Sequence, residues 1–506
     1  MAQFDLDKHG AMDVIFAGGG TAACVAAGRL AKANPDLKIL LIEGGPNNFQ
    51  DPTVVHPAAY LTHLAPESKT ALFYKAKPSK YLNGREAVVP TGGILGGGSS
   101  INFMMYTRAQ GVDFDSWNTV GWNAREIMPL LNKLETFQQG ESAINQRRHG
   151  HEGPIHVSSG GFRSKSEHVF MDSIKAMGFK EIVDLQDLDQ VGGFSRWQRY
   201  VSLDGKRQDA AHCYIHPRLR DGKHPNLHIL VHSKVVRVIF DEQAVPPRAI
   251  GVEYQTDPEH QPALSLSKPT LQFIRAAKLV VVSAGALGSP QILERSGIGN
   301  SQLLEGLKIK VISDLRGVGE NYQDHHLVLS SYTSNLPPTE TLDELFSSRK
   351  SFATAIQEKD PRMGWNGIDI ASKLRMTDEE VKLLGADFEA DWKRDFAPHP
   401  TRPVMLCGVI NAFLGDAATV EPGQYFTVGT YTAYPYSRGS IHINSANDTQ
   451  GGVVDENLNV HGTVGLKVAD LSIAPENVGA NTNNTALVIG EKAAVIIARE
   501  LGIANI

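Results

Sequence analysis

The chain has 506 residues and a formal net charge of -6 at pH 7. This length exceeds what one compact core usually holds, so two or more domains are expected. The mildly acidic balance argues against nucleic acid as the main partner, because the sequence contains no basic run that could contact phosphates.

The sequence also argues against membrane insertion and secretion. No apolar stretch approaches the roughly 20 residues of a membrane-spanning helix, and the N-terminus lacks a basic region followed by a long apolar run. The last residues, LGIANI, contain no clear peroxisomal tripeptide of the Ser-Lys-Leu type. We therefore expect an intracellular protein, cytoplasmic or peroxisomal. The scattered Cys24, Cys213 and Cys407 predict neither a disulfide framework nor a metal site.

The first module, residues 13–45, reads as a strand, a glycine turn, an alanine-rich helix and a second strand. Gly18 permits a tight turn, Gly20 lets the backbone approach a pyrophosphate, and Ala23 allows close helix–strand packing. The helix N-terminus offers free N–H groups to the phosphates, and Glu43 is placed to bind a ribose. The module predicts dinucleotide binding; the alternative is a glycine turn in a generic α/β unit.

Later segments add a second glycine cluster, several strands and a final helix. The cluster Gly96–Ser100 continues into INFMMYTRA, which is too apolar for a flexible linker. Apolar runs such as KLVVVSAG and QYFTVGTYTAYPYSRGSIHI predict strands, the second of them carrying His442 in its GSIHI end. A short helix is predicted near residues 342–348, and a long amphipathic helix in NTALVIGEKAAVIIARELGI.

Two of these segments carry a specific resemblance. Residues 92–115, GGILGGGSSINFMMYTRAQGVDFD, and 285–299, GALGSPQILERSGIG, resemble the two sequence hallmarks of the glucose–methanol–choline oxidoreductases. The first departs from the family pattern at Gly93, where a basic residue, Asn or Cys is usual. Over nearly its whole length the chain is most similar to the fungal methanol (alcohol) oxidase branch.

The resemblance implies a mixed α/β fold in which an antiparallel-sheet substrate-binding domain is inserted into a Rossmann-like FAD-binding domain. The FAD-binding domain is expected to comprise residues 1–155, 195–315 and 451–506. The substrate-binding domain is expected to comprise residues 156–194 and 316–450, and to be shortened.

The resemblance further implies FAD as the cofactor, no metal, and a set of binding residues that can be carried over one by one. The expected FAD-binding residues are Gly18, Gly20, Thr21, Ala22, Glu43, Gly98, Asn102, Phe103, Met105, Val235, Asp470 and Thr482.

Asn481 is the expected catalytic residue, at the start of the last helix, which the family brings toward the isoalloxazine ring. A helix N-terminus at that place stabilises the negative charge of a reduced flavin. The alternative for Asn481 is that it only caps the helix.

The proton acceptor is the missing element. The family places a histidine on a segment resembling H-x-x-G-T, before a stretch like GGVVDENLNVHGTVGLKVADLS; here SRGSIHINSANDTQ precedes that stretch. We expect a join near residues 445–450, with the histidine segment lost and apolar surface of the substrate domain exposed. Two other histidines, His461 and His442, are weak candidates for the proton acceptor. We interpret the pair His325 and His326 as structural.

The expected function is FAD-dependent oxidation of a primary, short-chain alcohol to the aldehyde, with hydride transfer to flavin N5 and reoxidation by O2 to give H2O2. One alternative is a flavin-binding protein impaired in turnover by the missing histidine. Another is a dehydrogenase of the same family that uses a different electron acceptor. The expected partners are an alcohol and O2, and a homo-oligomer is left open.

Overall fold

The computed structural model describes residues 10–138, 144–256, 271–443, 453–504 and 506. The join expected near residues 445–450 lies outside the described residues. Within them the strands are β1 (Met12–Ala17), β2 (Ile39–Ile42), β3 (Ala71–Lys75), β4 (Val88–Gly92), β5 (Glu135–Phe137), β6 (Ile155–Val157), β7 (Lys180–Glu181), β8 (Gly193–Arg196), β9 (Leu227–Leu230), β10 (Ser233–Asp241), β11 (Arg248–Thr256), β12 (Gln272–Val282), β13 (Ile298–Gly299), β14 (Ser313–Asp314), β15 (Leu327–Ser334), β16 (Ile368–Lys373), β17 (Met405–Ile410), β18 (Gln424–Thr432) and β19 (Leu466–Val468).

The α-helices of the described residues are mostly short, with longer ones at the two ends of the chain. They are α1 (Thr21–Ala33), α2 (Pro52–Val55), α3 (Gly98–Ile101), α4 (Gly111–Ser116), α5 (Ala124–Leu134), α6 (Ser166–Ala176), α7 (His216–Arg220), α8 (Gly285–Arg295), α9 (Ser301–Gly306), α10 (Asp343–Phe346), α11 (Phe352–Gln357), α12 (Asp378–Leu383), α13 (Ala386–Asp391) and α14 (Asn483–Glu500).

The larger sheet has the order β10-β11-β12-β1-β2-β9, with β19 paired to β12. Strands β9, β2, β1, β12 and β19 are parallel, whereas β10, β11 and β12 pair antiparallel. Side chains of β1 enter two cores on opposite faces: Val14 and Phe16 pack in one, Ile15 and Ala17 in the other. A parallel strand buried on both faces needs the continuous apolar sequence found here. This sheet forms the mixed α/β, Rossmann-like part of the fold.

Helices α1 and α14 lie against each other in the first of these cores. The approach is close at Gly490, where an added Cβ would lie 2.6 Å from the carbonyl oxygen of Ala22. Any side chain there would force the two helices apart, since both groups belong to packed backbone. The packing brings the last helix of the chain next to the first.

A second sheet has the order β15-β18-β17-β16-β8-β7. Its pairs are antiparallel except for β7 with β8. This is the antiparallel sheet expected of a substrate domain. Strand β15 is an edge strand, and Leu327, Val328, Leu329 and Tyr332 are all exposed along it. Apolar side chains of the second sheet are thus exposed along β15.

The GSIHI end of the predicted strand is not a strand, and the expectation that His442 lies on one is wrong. Strand β18 ends at Thr432. The following backbone bonds elsewhere: Gly439 and Tyr322 exchange two hydrogen bonds, and Ile441 N donates to Gly319 O over 2.6 Å. Pro435, which has no N–H, follows shortly after the end of β18 and cannot extend the ladder. The segment is thus tied to the turn at Gly319 rather than to the sheet.

The exact division of the chain into two discontinuous domains stays a prediction. Its boundaries at residues 155, 194, 315 and 450 stay predictions as well. None of the helices in the described ranges is long and apolar enough to cross a membrane.

Candidate active site

The first glycine turn forms the start of the site. Gly18 has φ +112°, and a Cβ there would collide with the carbonyl of Ser283, so both its conformation and its surroundings require glycine. Gly20 precedes α1, and no side chain caps the N-terminus of that helix. The free amide groups and the positive end of a 13-residue helix are available to an anion such as a pyrophosphate.

Glu43 follows β2 and is held by backbone donors. Its Oε2 accepts a hydrogen bond from Gly19 N and its Oε1 one from Gly45 N, both at 2.9 Å. Glu43 is only 9% exposed. It is therefore fixed in position, and each oxygen retains a lone pair for a ribose hydroxyl.

The second glycine cluster leads into α3 and then Asn102. Asn102 Oδ1 accepts from Met104 N at 2.9 Å and from Arg207 Nη1 at 3.0 Å. Arg207 is buried and also donates to the carbonyl oxygens of Val54 and Ser99. Burial lowers the pKa of Arg207 to about 10, which leaves it charged at neutral pH. The sequence did not predict a role for Arg207, because this residue is distant in the chain from its partners and belongs to no recognised motif.

Asn481 receives two hydrogen bonds on one atom. Thr107 Oγ1 donates to Asn481 Oδ1 over 2.7 Å, and the Tyr431 hydroxyl donates to the same oxygen over 3.0 Å. With the amide oxygen doubly occupied, the amide NH2 is the group left to serve a ligand. Thr107 and Tyr431 were not predicted; neither residue type is distinctive, and their proximity to Asn481 arises only from the fold.

The helix that follows does not use Asn481 as its cap. Helix α14 begins at Asn483, its N-cap residue is Thr482, and no side-chain cap is formed. The capping alternative for Asn481 is therefore wrong, since its side chain points to Thr107 and Tyr431 instead. Among the described residues, Asn483 Oδ1 and Thr485 Oγ1 are buried without a hydrogen-bond partner.

Asp470 and Val235 connect the site to the rest of the larger sheet. Asp470 Oδ2 accepts from Gly285 N at 2.9 Å and from Ser289 Oγ at 2.5 Å, which ties the second hallmark helix, α8, to the end of β19. Val235 is buried on β10.

These features surround one continuous cavity of about 1850 Å³. Both the expected catalytic residue and every expected cofactor residue line it, although they come from segments throughout the chain. They are Gly18, Gly20, Thr21, Ala22, Glu43, Gly98, Asn102, Phe103, Met105, Val235, Asp470, Asn481 and Thr482. The structure thus brings all thirteen together, and their individual roles remain proposals. Single ligand pockets usually measure about 300–1000 Å³, so this cavity has room for a large cofactor and a second ligand.

Two of the histidines considered as proton acceptors, His442 and His461, lie outside the cavity. His442 Nδ1 lies 2.6 Å from Glu294 Oε1 and its Nε2 lies 2.9 Å from Glu320 Oε1. Hydrogen bonding to Glu294 raises the pKa of His442, so both ring nitrogens are held as donors to carboxylates. His461 is exposed, and neither residue lines the cavity.

His325 is the histidine, among the described residues, that lines the cavity. Its Nε2 lies 3.1 Å from the carbonyl oxygens of both Ala433 and Val478, and since carbonyls only accept, this nitrogen carries the proton. Its ring packs beside Tyr431, with 5.5 Å between ring centroids. Burial lowers the pKa of His325, which keeps the ring neutral at pH 7. His326 is exposed and does not line the cavity.

Comparison with known proteins identifies the class. A family model for GMC oxidoreductases, N-terminal part, matches residues 12–327, and the C-terminal model matches residues 439–490. The chain belongs to the GMC oxidoreductase family. The protein is an oxidoreductase and a flavoprotein, and its cofactor is FAD.

Several relatives of known activity are alcohol oxidases. The chain is 33% identical to an alcohol oxidase of Candida boidinii, over 97% of this chain and 95% of that protein, and 31% identical to an alcohol oxidase of Pichia angusta over the same shares. The first alignment extends over 644 positions, more than the 506 residues of this chain, so the relative contains stretches with no counterpart here. Among solved structures, a formate oxidase of Aspergillus oryzae RIB40, described for its FAD modification, superposes with a TM-score of 0.81 at 20% identity, covering 97% of this chain and 99% of that one.

The cavity fits FAD on its own evidence. The uncapped N-terminus of α1 suits the pyrophosphate, and Glu43 suits the ribose. At the other end, the buried Asn483 Oδ1 and Thr485 Oγ1 lack partners in the described protein and line the cavity. A flavin ring, which has both N–H and carbonyl groups along its polar edge, is a suitable partner for them. In the described residues there is no group of three His, Cys, Asp or Glu side chains that could hold a metal ion.

Proposed function

We propose that this protein oxidises a primary alcohol to the aldehyde and passes the electrons to O2. In balanced form, RCH2OH and O2 give RCHO and H2O2: the alcohol loses a hydride from carbon and a proton from oxygen, and O2 gains both hydrogens and both electrons. The observation that carries the proposal is the amide of Asn481, held by Thr107 and Tyr431 on the wall of the same cavity as the dinucleotide turn.

FAD supplies the hydride acceptor when it is bound, at flavin N5. The chain's own contribution begins with Asn481, whose amide N–H donates to the alcohol oxygen and stabilises the negative charge that develops as the hydroxyl proton leaves. The uncapped N-terminus of α14 adds the positive end of an 18-residue helix at the same side of the cavity.

His325 holds the backbone that leads to Asn481. Its Nε2–H bridges Val478 O and Ala433 O, and so ties the segment before Asn481 to the segment after β18. On the other side of that segment, Gly479 N donates to Asp113 Oδ2 over 3.1 Å, and the Tyr434 hydroxyl donates to Asp113 Oδ1 over 2.7 Å. These bonds give the Asn481 amide a fixed orientation.

The decisive experiment is anaerobic mixing of the yellow holoenzyme with a series of primary alcohols. Nearly complete loss of the flavin absorbance at about 450 nm with at least one alcohol supports the proposal. No loss with any alcohol refutes it. A parallel aerobic assay for H2O2 separates an oxidase from a dehydrogenase, because a dehydrogenase bleaches but turns over only with an added electron acceptor.

A flavin-binding protein impaired in turnover is the second candidate. It is favoured by His442, because both of its ring nitrogens are held by carboxylates. Such a protein binds FAD, keeps its absorbance with every alcohol, and produces no alcohol-dependent H2O2. The same mixing experiment therefore distinguishes the two candidates.

A further inference from the structure

The second sheet has a groove without side chains on its cavity face. Gly408 on β17 and Gly429 on β18 are opposite each other in register, and both line the cavity. Leu329 on the edge strand β15 is opposite Gly429 in turn. Because directly paired residues of antiparallel strands point to the same face, these three positions form one row across the sheet. Two of the three have no side chain, and this row with its flanking side chains is called here the glycine groove.

Apolar side chains form the walls of the glycine groove. A Cβ on Gly429 would lie 3.3 Å from Ile410 Cδ1, 3.3 Å from Leu329 Cδ2 and 3.8 Å from Leu327 Cδ1. A Cβ on Gly408 would meet nothing closer than 3.7 Å. The groove is therefore closely bordered by hydrocarbon at Gly429, whereas a Cβ on Gly408 would make only ordinary van der Waals contacts.

One end of the groove is next to the reacting group. Tyr431 lies two residues after Gly429 on β18, so its side chain is on the same face of the sheet, and it too lines the cavity. Its hydroxyl is the one that donates to Asn481 Oδ1. The face of the sheet that carries the two glycines therefore begins beside the residue that holds Asn481.

The side of the groove formed by β15 is open, where Leu327 is opposite Tyr431 and Leu329 is opposite Gly429. Leu327 and Leu329 line the cavity and are nevertheless 53% and 40% exposed, because β15 is the edge of its sheet. Covering an apolar wall that is open to solvent with a hydrocarbon group is favourable, because it removes apolar surface from water. A substrate with a single carbon atom leaves this wall uncovered.

We propose that the glycine groove binds the hydrocarbon part of the substrate, and that the substrate is a primary alcohol with a medium-length alkyl chain rather than a short-chain alcohol. This assignment rests on the proposed oxidation of a primary alcohol. The expectation of a short-chain substrate came from resemblance alone, whereas the groove is a property of this chain.

The first test is the dependence of kcat/KM on chain length, from methanol to 1-octanol, in the holoenzyme. Each methylene that enters an apolar groove is expected to raise kcat/KM by up to about fourfold until the groove is full. A rise that continues beyond ethanol supports the proposal. A maximum at methanol or ethanol overturns it and leaves the oxidation of alcohols intact.

The second test fills the groove. Gly408→Val adds a β-branched side chain that a strand accepts readily, at a site where a Cβ makes only ordinary contacts. We expect kcat/KM for 1-octanol to fall by about tenfold or more and that for ethanol to change far less. The matched control is Val328→Ala, on β15 but outside the cavity lining, which should leave the preference for chain length unchanged. Equal losses for ethanol and 1-octanol in Gly408→Val contradict the groove.

A third test needs no turnover. Alkanamides from acetamide to octanamide have a polar head for Asn481 but no carbinol C–H, so they bind without reaction. Calorimetric titration of the holoenzyme should give a Kd that falls with chain length, and this trend should be lost in Gly408→Val. If the Kd does not change with chain length while alcohols are still oxidised, only the proposal for the glycine groove is refuted. Absence of flavin bleaching with every alcohol refutes the proposed function, and the assignment falls with it.

Discussion

Thr107 Oγ1 and Asn481 Oδ1 lie 2.7 Å apart, in a hydrogen bond between residues separated by 374 positions of sequence. Thr107 lies within the first hallmark segment and Asn481 precedes the last helix. The bond fixes one side of the Asn481 amide, and Tyr431 secures the same oxygen from the second sheet. The orientation of the proposed catalytic group therefore depends on the loop that carries Thr107 and on strand β18 of the second sheet.

Removing the Thr107 hydroxyl should weaken that orientation. Thr107→Val keeps the shape and removes a bond that contributes about 1 kcal/mol, so kcat and kcat/KM for an alcohol should both fall by about fivefold. Stopped-flow measurement of flavin bleaching gives the rate of the chemical step. Thr107→Ser, which keeps the donor, should restore most of the rate, and a Val variant as fast as the parent would exclude the positioning role.

Asn481 itself should have a larger effect. Asn481→Ala removes the proposed donor to the developing negative charge, and the loss of one such donor lowers kcat by about 10²–10³-fold. Asn481→Asp keeps the size but replaces the NH2 group by an acceptor, so it should be at least as slow. Flavin content, measured from the ratio of absorbance at 450 and 280 nm in the purified protein, is the control for both variants. Retained flavin with unchanged rates would remove Asn481 from the mechanism.

Much of the site could be predicted from the sequence, because the residues concerned belong to motifs. The glycine turn, Glu43 and the two hallmark segments all contribute to one cavity, as expected. Thr107, Tyr431 and Arg207 could not be predicted, since common residue types acquire their roles only through contacts between distant segments. The strand at His442 was wrong for a related reason: its local pattern favours a strand, but its backbone bonds to the turn at Gly319 instead.

Glu43 provides a test of cofactor binding that is independent of catalysis. Glu43→Ala removes the carboxylate held by Gly19 N and Gly45 N, and the ribose loses its proposed acceptor. A hydrogen bond to a charged group contributes about 1.5–3 kcal/mol, so the Kd for FAD should rise by about 10–100-fold. Quenching of FAD fluorescence by the apoprotein measures it. An unchanged Kd would show that the ribose is bound elsewhere.

The contact between α1 and α14 predicts a stability effect. Gly490→Ala places a Cβ 2.6 Å from Ala22 O, and overpacking of this kind costs about 1–3 kcal/mol. The control is Gly306→Ala at the end of α9, where a Cβ meets nothing within 4 Å and stability should be unchanged or slightly higher. Urea denaturation of both variants at pH 7 compares them with the parent protein. Equal midpoints for all three would mean that the helices separate without cost.

His63 predicts how stability depends on pH. It is 1% exposed, with Nδ1 2.7 Å from Thr70 Oγ1 and Nε2 3.0 Å from Thr53 O. Burial lowers its pKa from 6.5 to about 4 in the folded protein. As the pH falls, the unfolded chain therefore binds this proton first, near pH 6.5. The free energy of unfolding consequently decreases as the pH falls from 6.5 toward 4.

The loss from His63 should reach about 3 kcal/mol at full extent, at about 1.4 kcal/mol per pH unit. His63→Gln keeps a polar side chain that does not titrate, so its stability at pH 7 should be lower than that of the parent, but it should fall less between pH 7 and pH 5. Urea midpoints of both proteins at the two pH values give the comparison. Identical changes in the two proteins would show that His63 does not control the acid sensitivity, and that other buried groups, such as His216, whose pKa burial lowers to about 3, account for it.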